Sequence, residues 1–165
     1  MIGQPQVYER LKELNIPFDY YEHPEAPTIE IASQFYRGEG TTLCKNLFFR
    51  NHKGNRHYLV IMQSTNMMDI HAIEKQLHQG KLSFASEERM LKYLGVRPGS
   101  VSLFTLVNDI NHEVILFIDE NLLDAEKVAF HPNDNRASLV ISNTDMMKFV
   151  ENCGNEYSIM KVYDE

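Results

Sequence analysis

Hydrophobic positions along the chain change their spacing several times, and each change marks an element. Val7, Leu11 and Leu14 recur at helical spacing over residues 6–15, and Asn15 and Pro17 end that helix. Phe18–Tyr21 reads as a short strand, and Thr28–Ala32 opens a second helix that Gly38 and Gly40 stop, with Thr28 and Ser33 as local caps. Leu43–Arg50 and His57–Gln63 are apolar, β-branched and aromatic runs separated by residues 51–55, the clearest hairpin in the sequence. Asp69 starts a helix through Leu77. Ser86-Glu87-Glu88-Arg89 starts another, which Gly95 stops. A dense turn, Gly95-Val96-Arg97-Pro98-Gly99-Ser100, follows. Strands are expected at Glu113–Asp119, Lys127–Phe130, Arg136–Ser142 and Ser158–Val162, with a helix from Asn143 or Thr144 to Asn152 closed by Gly154. Irregular alternation with at least one hairpin predicts an α+β fold: a mixed, largely antiparallel sheet flanked by helices.

The 165 residues suffice for one domain, so residues 1–165 are read as a single unit without repeat, linker or low-complexity segment. Hydrophobic residues make up 43% and charged residues 24%, which excludes a disordered chain. No apolar run approaches the ~18 residues of a membrane span. The N-terminus lacks a basic segment followed by an apolar one, which argues against a secretory signal. Two cysteines, Cys44 and Cys153, make neither a disulfide framework nor a paired-cysteine zinc site, and reduced thiols in a cytoplasm are the default.

The net charge of −7 argues against a general nucleic-acid coat protein. Its distribution alters that picture. Between Glu39 and Asp69 there is no acidic residue, and Lys45, Arg50, Lys53 and Arg56 make the stretch locally +4. A basic island on an acidic protein suits a local polyanion contact, although charge alone favours a solvated hairpin edge.

Common catalytic signatures are missing. The sequence has no Walker or Rossmann glycine loop and no Gly-x-Ser-x-Gly elbow. The seven histidines are scattered, without His-Glu-x-x-His spacing, so no metal site is expected. Cys44 beside Lys45 is either a low-pKa thiol or a buried structural cysteine. Three features remain: Lys45-Asn46 heading the basic hairpin, the Gly95–Gly99 turn, and Phe130-His131-Pro132-Asn133 where a strand runs into a turn.

Together these features resemble one family. Leu43-Cys44-Lys45-Asn46-Leu47-Phe48-Phe49 is similar to the Lys-Asn-Leu-Phe strand of the YbaK/prolyl-tRNA-synthetase-associated domain superfamily. Gly95-Val96-Arg97-Pro98-Gly99 resembles its Gly-x-x-Pro-Gly loop, and Phe130-His131-Pro132-Asn133-Asp134-Asn135 its Phe-His-Pro-x-x-Asn segment. Phe18–Pro24 also suits the freestanding ProXp-ala, or PrdX-type, trans-editing group. Four motifs occur in order across nearly the whole chain.

The resemblance implies an aminoacyl-tRNA deacylase that acts in trans on mischarged proline tRNA, most simply alanyl-tRNA, in the cytoplasm and without cofactor or metal. A hydrophobic site rejects a slightly smaller side chain by only ~1–3 kcal/mol, so a second, hydrolytic sieve is useful. The implied catalytic residues are Lys45, as a cation on phosphate or ester carbonyl, Gly99, whose loop offers backbone donors to an oxyanion, and His131, lining the pocket or orienting water. Asn46, Gly95, Pro98 and Ser100 are expected at the substrate, with Ile29 in a size-excluding wall. Arg50, Lys53 and Arg56 are expected on acceptor-stem phosphates, giving salt-sensitive affinity. Prolyl-tRNA synthetase is an implied docking partner. Rival readings are removal of cysteine or serine by the same fold, a non-catalytic aminoacyl-tRNA or amino-acid binding module, and a thiol enzyme using Cys44.

Overall fold

The computed structural model describes residues 1–164. Its centre is the expected hairpin: β2 (Thr41–Arg50) and β3 (His57–Gln63) run antiparallel, with Cys44 opposite Gln63 and Arg50 opposite His57. The connecting loop is organised by one buried side chain, because Asn51 Oδ1 accepts from the backbone N–H groups of Asn55 and Arg56 at 3.0 and 3.1 Å. From His57 to Met62 every residue of β3 is buried. Its alternate side chains enter two different cores. Leu59 and Ile61 pack with Phe48, Leu94 and Phe149, whereas Tyr58, Val60 and Met62 pack with Phe49, Ile73 and Leu82. A continuous apolar run is what a strand covered on both faces requires.

The remaining strands are β1 (Asp19–Glu22), β4 (Met67–Met68), β5 (Ser83–Phe84), β6 (Val114–Asp119), β7 (Lys127–Phe130), β8 (Ala137–Ser142), β9 (Tyr157–Met160) and β10 (Tyr163–Asp164). The main sheet has the order β1-β8-β7-β2-β3-β6-β9, with β5 as an extra partner of β2, and β4 pairs with β10. The sheet is mixed. β2 with β7, β3 with β6 and β6 with β9 are parallel, and the other pairings are antiparallel.

Helices α1 (Pro5–Glu13), α4 (Glu87–Leu94) and α5 (Asn143–Cys153) cover one face together with a 3-10 helix, Leu103–Asn108, and α3 (Ile70–Leu77) covers the other. Asp69 and Ser86 cap their helices with side-chain oxygens, and Gly95 closes α4 at φ +67°. Two expectations shift. The α5 cap is Ser142, not Asn143 or Thr144, because the Ser142 hydroxyl accepts from Asp145 N. α2 is a single turn, Ile29–Ala32, instead of a helix running to Gly38, because the Arg37 guanidinium takes the carbonyls of Ala32 and Phe35 and turns the chain away.

Candidate active site

The main sheet is interrupted along one edge of β2. β7 pairs with Thr41–Leu43 and β5 with Phe49–Arg50, so among the described residues no strand covers the intervening edge. Phe48 O accepts from Ala85 N on that edge, whereas Leu43 O accepts from Ser64 N on the β3 side. Alternation along the strand therefore points the C=O of Cys44 and the N–H and C=O of Asn46 toward the gap, while the Leu43–Ala129 register takes the Cys44 N–H into the pairing with β7. A cavity of about 300 Å³ opens there. It adjoins a recess of about 30 Å³ that shares Ile29, Ala32, Cys44, Asn46 and His131 and adds Arg37 and Ser138.

Lys45, Asn46, Gly99, His131 and Ile29 all line this cavity, although they span more than a hundred residues of sequence. Lys45 is half-buried, and its Nζ donates to the Asn66 carbonyl at 2.6 Å, leaving two N–H groups for other acceptors. Asn46 Oδ1 accepts from Leu103 N at 3.1 Å and so ties β2 to the start of the 3-10 helix. Gly99 has φ +89°. A Cβ there would lie 3.1 Å from Cα and Cβ of Pro27 and 3.2 Å from Asn135 Nδ2, so a side chain would be both strained and crowded. His131 follows β7 directly. Its Nδ1 lies 2.9 Å from the Ala137 carbonyl, which can only accept, so Nδ1 carries the proton and Nε2 keeps a lone pair. Burial, followed by the Arg37 and His23 neighbours, pulls the His131 pKa down, and the imidazole is neutral at pH 7.

The other residues singled out from sequence lie elsewhere. Gly95, Pro98 and Ser100 line a separate cleft with Arg97 and residues 133–136. Their backbone is committed to the loop itself: Gly95 N donates to Leu91 O as the helix cap, and Ser100 N donates to Arg97 O. Proline has no N–H to offer. Only Gly99 of this loop reaches the Lys45 cavity. Arg50 and the exposed Lys53 and Arg56 occupy the far end of the hairpin, and Arg50 Nη1 donates to the carbonyls of Asn51 and His52.

Sequence patterning missed the residues that support the cavity wall. Arg37 is 4% exposed, and its Nε donates to Ser138 Oγ at 2.7 Å while Nη1 holds the carbonyls of Ala32 and Phe35. Ser138 in turn donates to His23 Nε2, because His23 Nδ1–H is given to the Pro24 carbonyl. His23 stacks on Phe35 at 5.1 Å and meets His131 edge-on at 6.1 Å. Burial also lowers the His23 pKa. A lone arginine in a polar segment carries no signal of burial. Cys44 lines the cavity too, but burial pushes its thiol pKa far up, so it is not a thiolate nucleophile. Among the described residues no group of three or more His, Cys, Asp or Glu is placed to hold a metal ion, and no helix is long and apolar enough to cross a membrane.

Residues 23–149 match the family model for the aminoacyl-tRNA editing domain. The chain belongs to that family. It is 37% identical over 162 residues to the prolyl-tRNA editing protein ProX of Acetoanaerobium sticklandii, covering 98% of this chain and 99% of that one. It is 32% identical over 156 residues to the prolyl-tRNA synthetase associated domain-containing protein 1 of Bos taurus, covering 92% and 91%. A solved structure presented as a candidate trans-editing enzyme for prolyl-tRNA synthetase has the same fold, with a TM-score of 0.74 at 20% identity, covering 99% of this chain and 100% of that one. As a member of the editing family the chain is an aminoacyl-tRNA deacylase, a hydrolase of the ester between amino acid and tRNA.

Proposed function

We propose that this protein hydrolyses alanyl-tRNA charged on proline tRNA, acting in trans, with residues 1–165 working as one editing domain in the cytoplasm. The observation that carries the reading is the convergence of Lys45, Asn46, Gly99, His131 and Ile29 on one cavity with a recess of about 30 Å³ behind it. That recess is far smaller than the cavity it adjoins, which supports a small side chain such as that of alanine.

In this reading the terminal ribose and ester occupy the larger cavity, and the amino-acid side chain points past Ile29 into the recess. The Lys45 ammonium faces the terminal phosphate or the ester carbonyl, where charge develops as water attacks. The gap-facing main chain at Cys44 and Asn46 and the Gly99 loop present the polar backbone groups that hold the ester in place. His131 Nε2, unprotonated, accepts from the attacking water or from the ribose hydroxyl and fixes its direction. The acyl C–O bond to the ribose breaks, releasing the free amino acid and an intact tRNA end. Arg50, Lys53 and Arg56 meet acceptor-stem phosphates, and prolyl-tRNA synthetase is the partner that would hand over the substrate.

Deacylation of proline tRNA charged in turn with alanine, serine, cysteine and proline tests this reading. Alanine is expected to be released fastest and proline to stay attached. Faster release of cysteine or serine assigns the pocket to a different amino acid. Binding without any turnover by the wild type makes the protein a recognition module instead.

A further inference from the structure

Phe84 is 65% exposed, and it lines the same cavity as Lys45. The more exposed apolar side chains Met1, Tyr36, Met67 and Ile110 do not line that cavity. Phe84 sits on β5 directly opposite Phe49, and the two rings stack at 4.6 Å with 28° between their planes. Phe49 is 1% exposed, so one face of Phe84 rests on the core and the other is open to solvent. The ring cannot easily swing away. Its neighbours Leu82 and Ala85 are buried, and Ala85 N is bonded to Phe48 O.

The charges along β2 flank this ring. Lys45 lies four residues before Phe49, about 14 Å along the strand, a span that the Lys45 stem and the Phe84 ring shorten from both ends. Ser83 pairs with Arg50, which leads into the basic loop carrying Lys53 and Arg56. A rigid aromatic face between two cationic positions is how proteins hold single-stranded nucleic-acid ends, with bases stacked and phosphates paired.

We propose that Phe84 is the stacking platform for the terminal nucleobase of the acceptor strand, with the ester held farther along β2 beside Lys45. This rests on the editing reading above, yet its central test does not require turnover. Uncharged acceptor minihelices with and without the terminal adenosine are titrated against wild type, Phe84→Ala and Phe84→Trp by fluorescence anisotropy, with melting curves alongside. The wild type is expected to prefer the complete end by roughly ten-fold, as one base–aromatic stack allows. Phe84→Ala is expected to lose that preference at unchanged melting temperature, and Phe84→Trp to keep it. An undiminished preference in Phe84→Ala overturns the platform, and so does equal weakening toward both minihelices.

A second measurement separates a platform from a pocket wall. On mischarged tRNA, Phe84→Ala is expected to raise KM about ten-fold with kcat within about two-fold. A loss carried by kcat instead of KM makes Phe84 part of the amino-acid pocket. A wild type that fails to deacylate any charged tRNA sinks the editing reading, while the minihelix comparison still decides the platform.

Discussion

The two strands of the central hairpin share one register and do opposite jobs. β3 is paired on both edges from His57 to Ile61 and buried on both faces, and its side chains serve two cores. β2 is paired with β3 from Cys44 to Arg50, but its outer edge is covered only at its two ends. The uncovered middle carries Lys45-Asn46, the polar pair in an otherwise apolar run. The comparison teaches where a sheet can afford chemistry. Where pairing is complete, the main-chain groups are taken up by the neighbouring strands and the strand is structural. Where pairing lapses, main-chain donors and acceptors and a long cation become available to a substrate.

The sharpest way to break this comparison is to exchange its consequences. Lys45→Ala should cut deacylation about 100- to 1000-fold, the usual effect of removing one transition-state donor, while the melting temperature stays near that of the wild type. Ile61→Ala should instead cost about 2–5 kcal/mol of stability, read by urea denaturation, with the rate per folded molecule retained. If Lys45→Ala unfolds the protein, or Ile61→Ala abolishes chemistry in the folded fraction, the division between the strands is wrong.

Asn46 and Gly99 sharpen the division, because each has one foot in structure. Asn46→Ala leaves Leu103 N–H without its acceptor and should cost about 1–3 kcal/mol in addition to activity. Gly99→Ala should cost about 1–3 kcal/mol from strain at φ +89° and from crowding against Pro27. Denaturant midpoints measured alongside turnover would show both losses together.

The histidines give a pH-dependent test of β3. Burial, then the nearby Arg89 charge, lowers the His57 pKa to about 4, and Arg89 Nη1 donates to its Nε2 at 2.8 Å. The unfolded state, with an ordinary imidazole pKa near 6.5, therefore binds more protons between pH 4 and 6.5. Stability is expected to be full above about pH 6.5 and to decline as the pH falls toward 4. Replacing the imidazole in His57→Phe should flatten that slope in denaturation series. An unchanged slope would mean His57 contributes nothing to it.

The smallest effects belong to the hairpin end. Arg50→Ala, Lys53→Ala and Arg56→Ala should each raise KM only a few-fold and reduce its salt dependence, leaving kcat unchanged. A salt-independent KM in the wild type would remove the basic island from the substrate path.

Much of this division could be read from the chain itself. The continuous apolar run His57–Met62 against the interrupted run Leu43–Arg50 already separates β3 from β2; Asp69, Ser86 and Gly95 mark helix ends through local hydrogen bonding, and Gly154 does so through its left-handed backbone. The gap itself was not legible. It depends on parallel pairing of Thr41–Leu43 with Lys127–Ala129, and register across more than eighty residues leaves no local trace. The 3-10 helix Leu103–Asn108 escaped because Leu103, Phe104, Thr105 and Leu106 are all buried, so no polar face reveals a period. Gly95 and Gly99 look equivalent in sequence. Only the structure shows that one is a helix cap and the other a cavity wall. Arg37 was invisible for a different reason: surface and buried arginines have the same letter.

The account turns on the uncovered edge of β2 as the seat of the ester. Amide chemical shifts followed during titration with a non-hydrolysable amide analogue of 3′-alanyl-adenosine test this most directly. The largest changes are expected at Cys44, Asn46 and Gly99, with Leu59 and Ile61 silent. Largest changes instead at Gly95, Pro98-flanking residues and Asn135 would put the substrate in the neighbouring cleft and contradict the account.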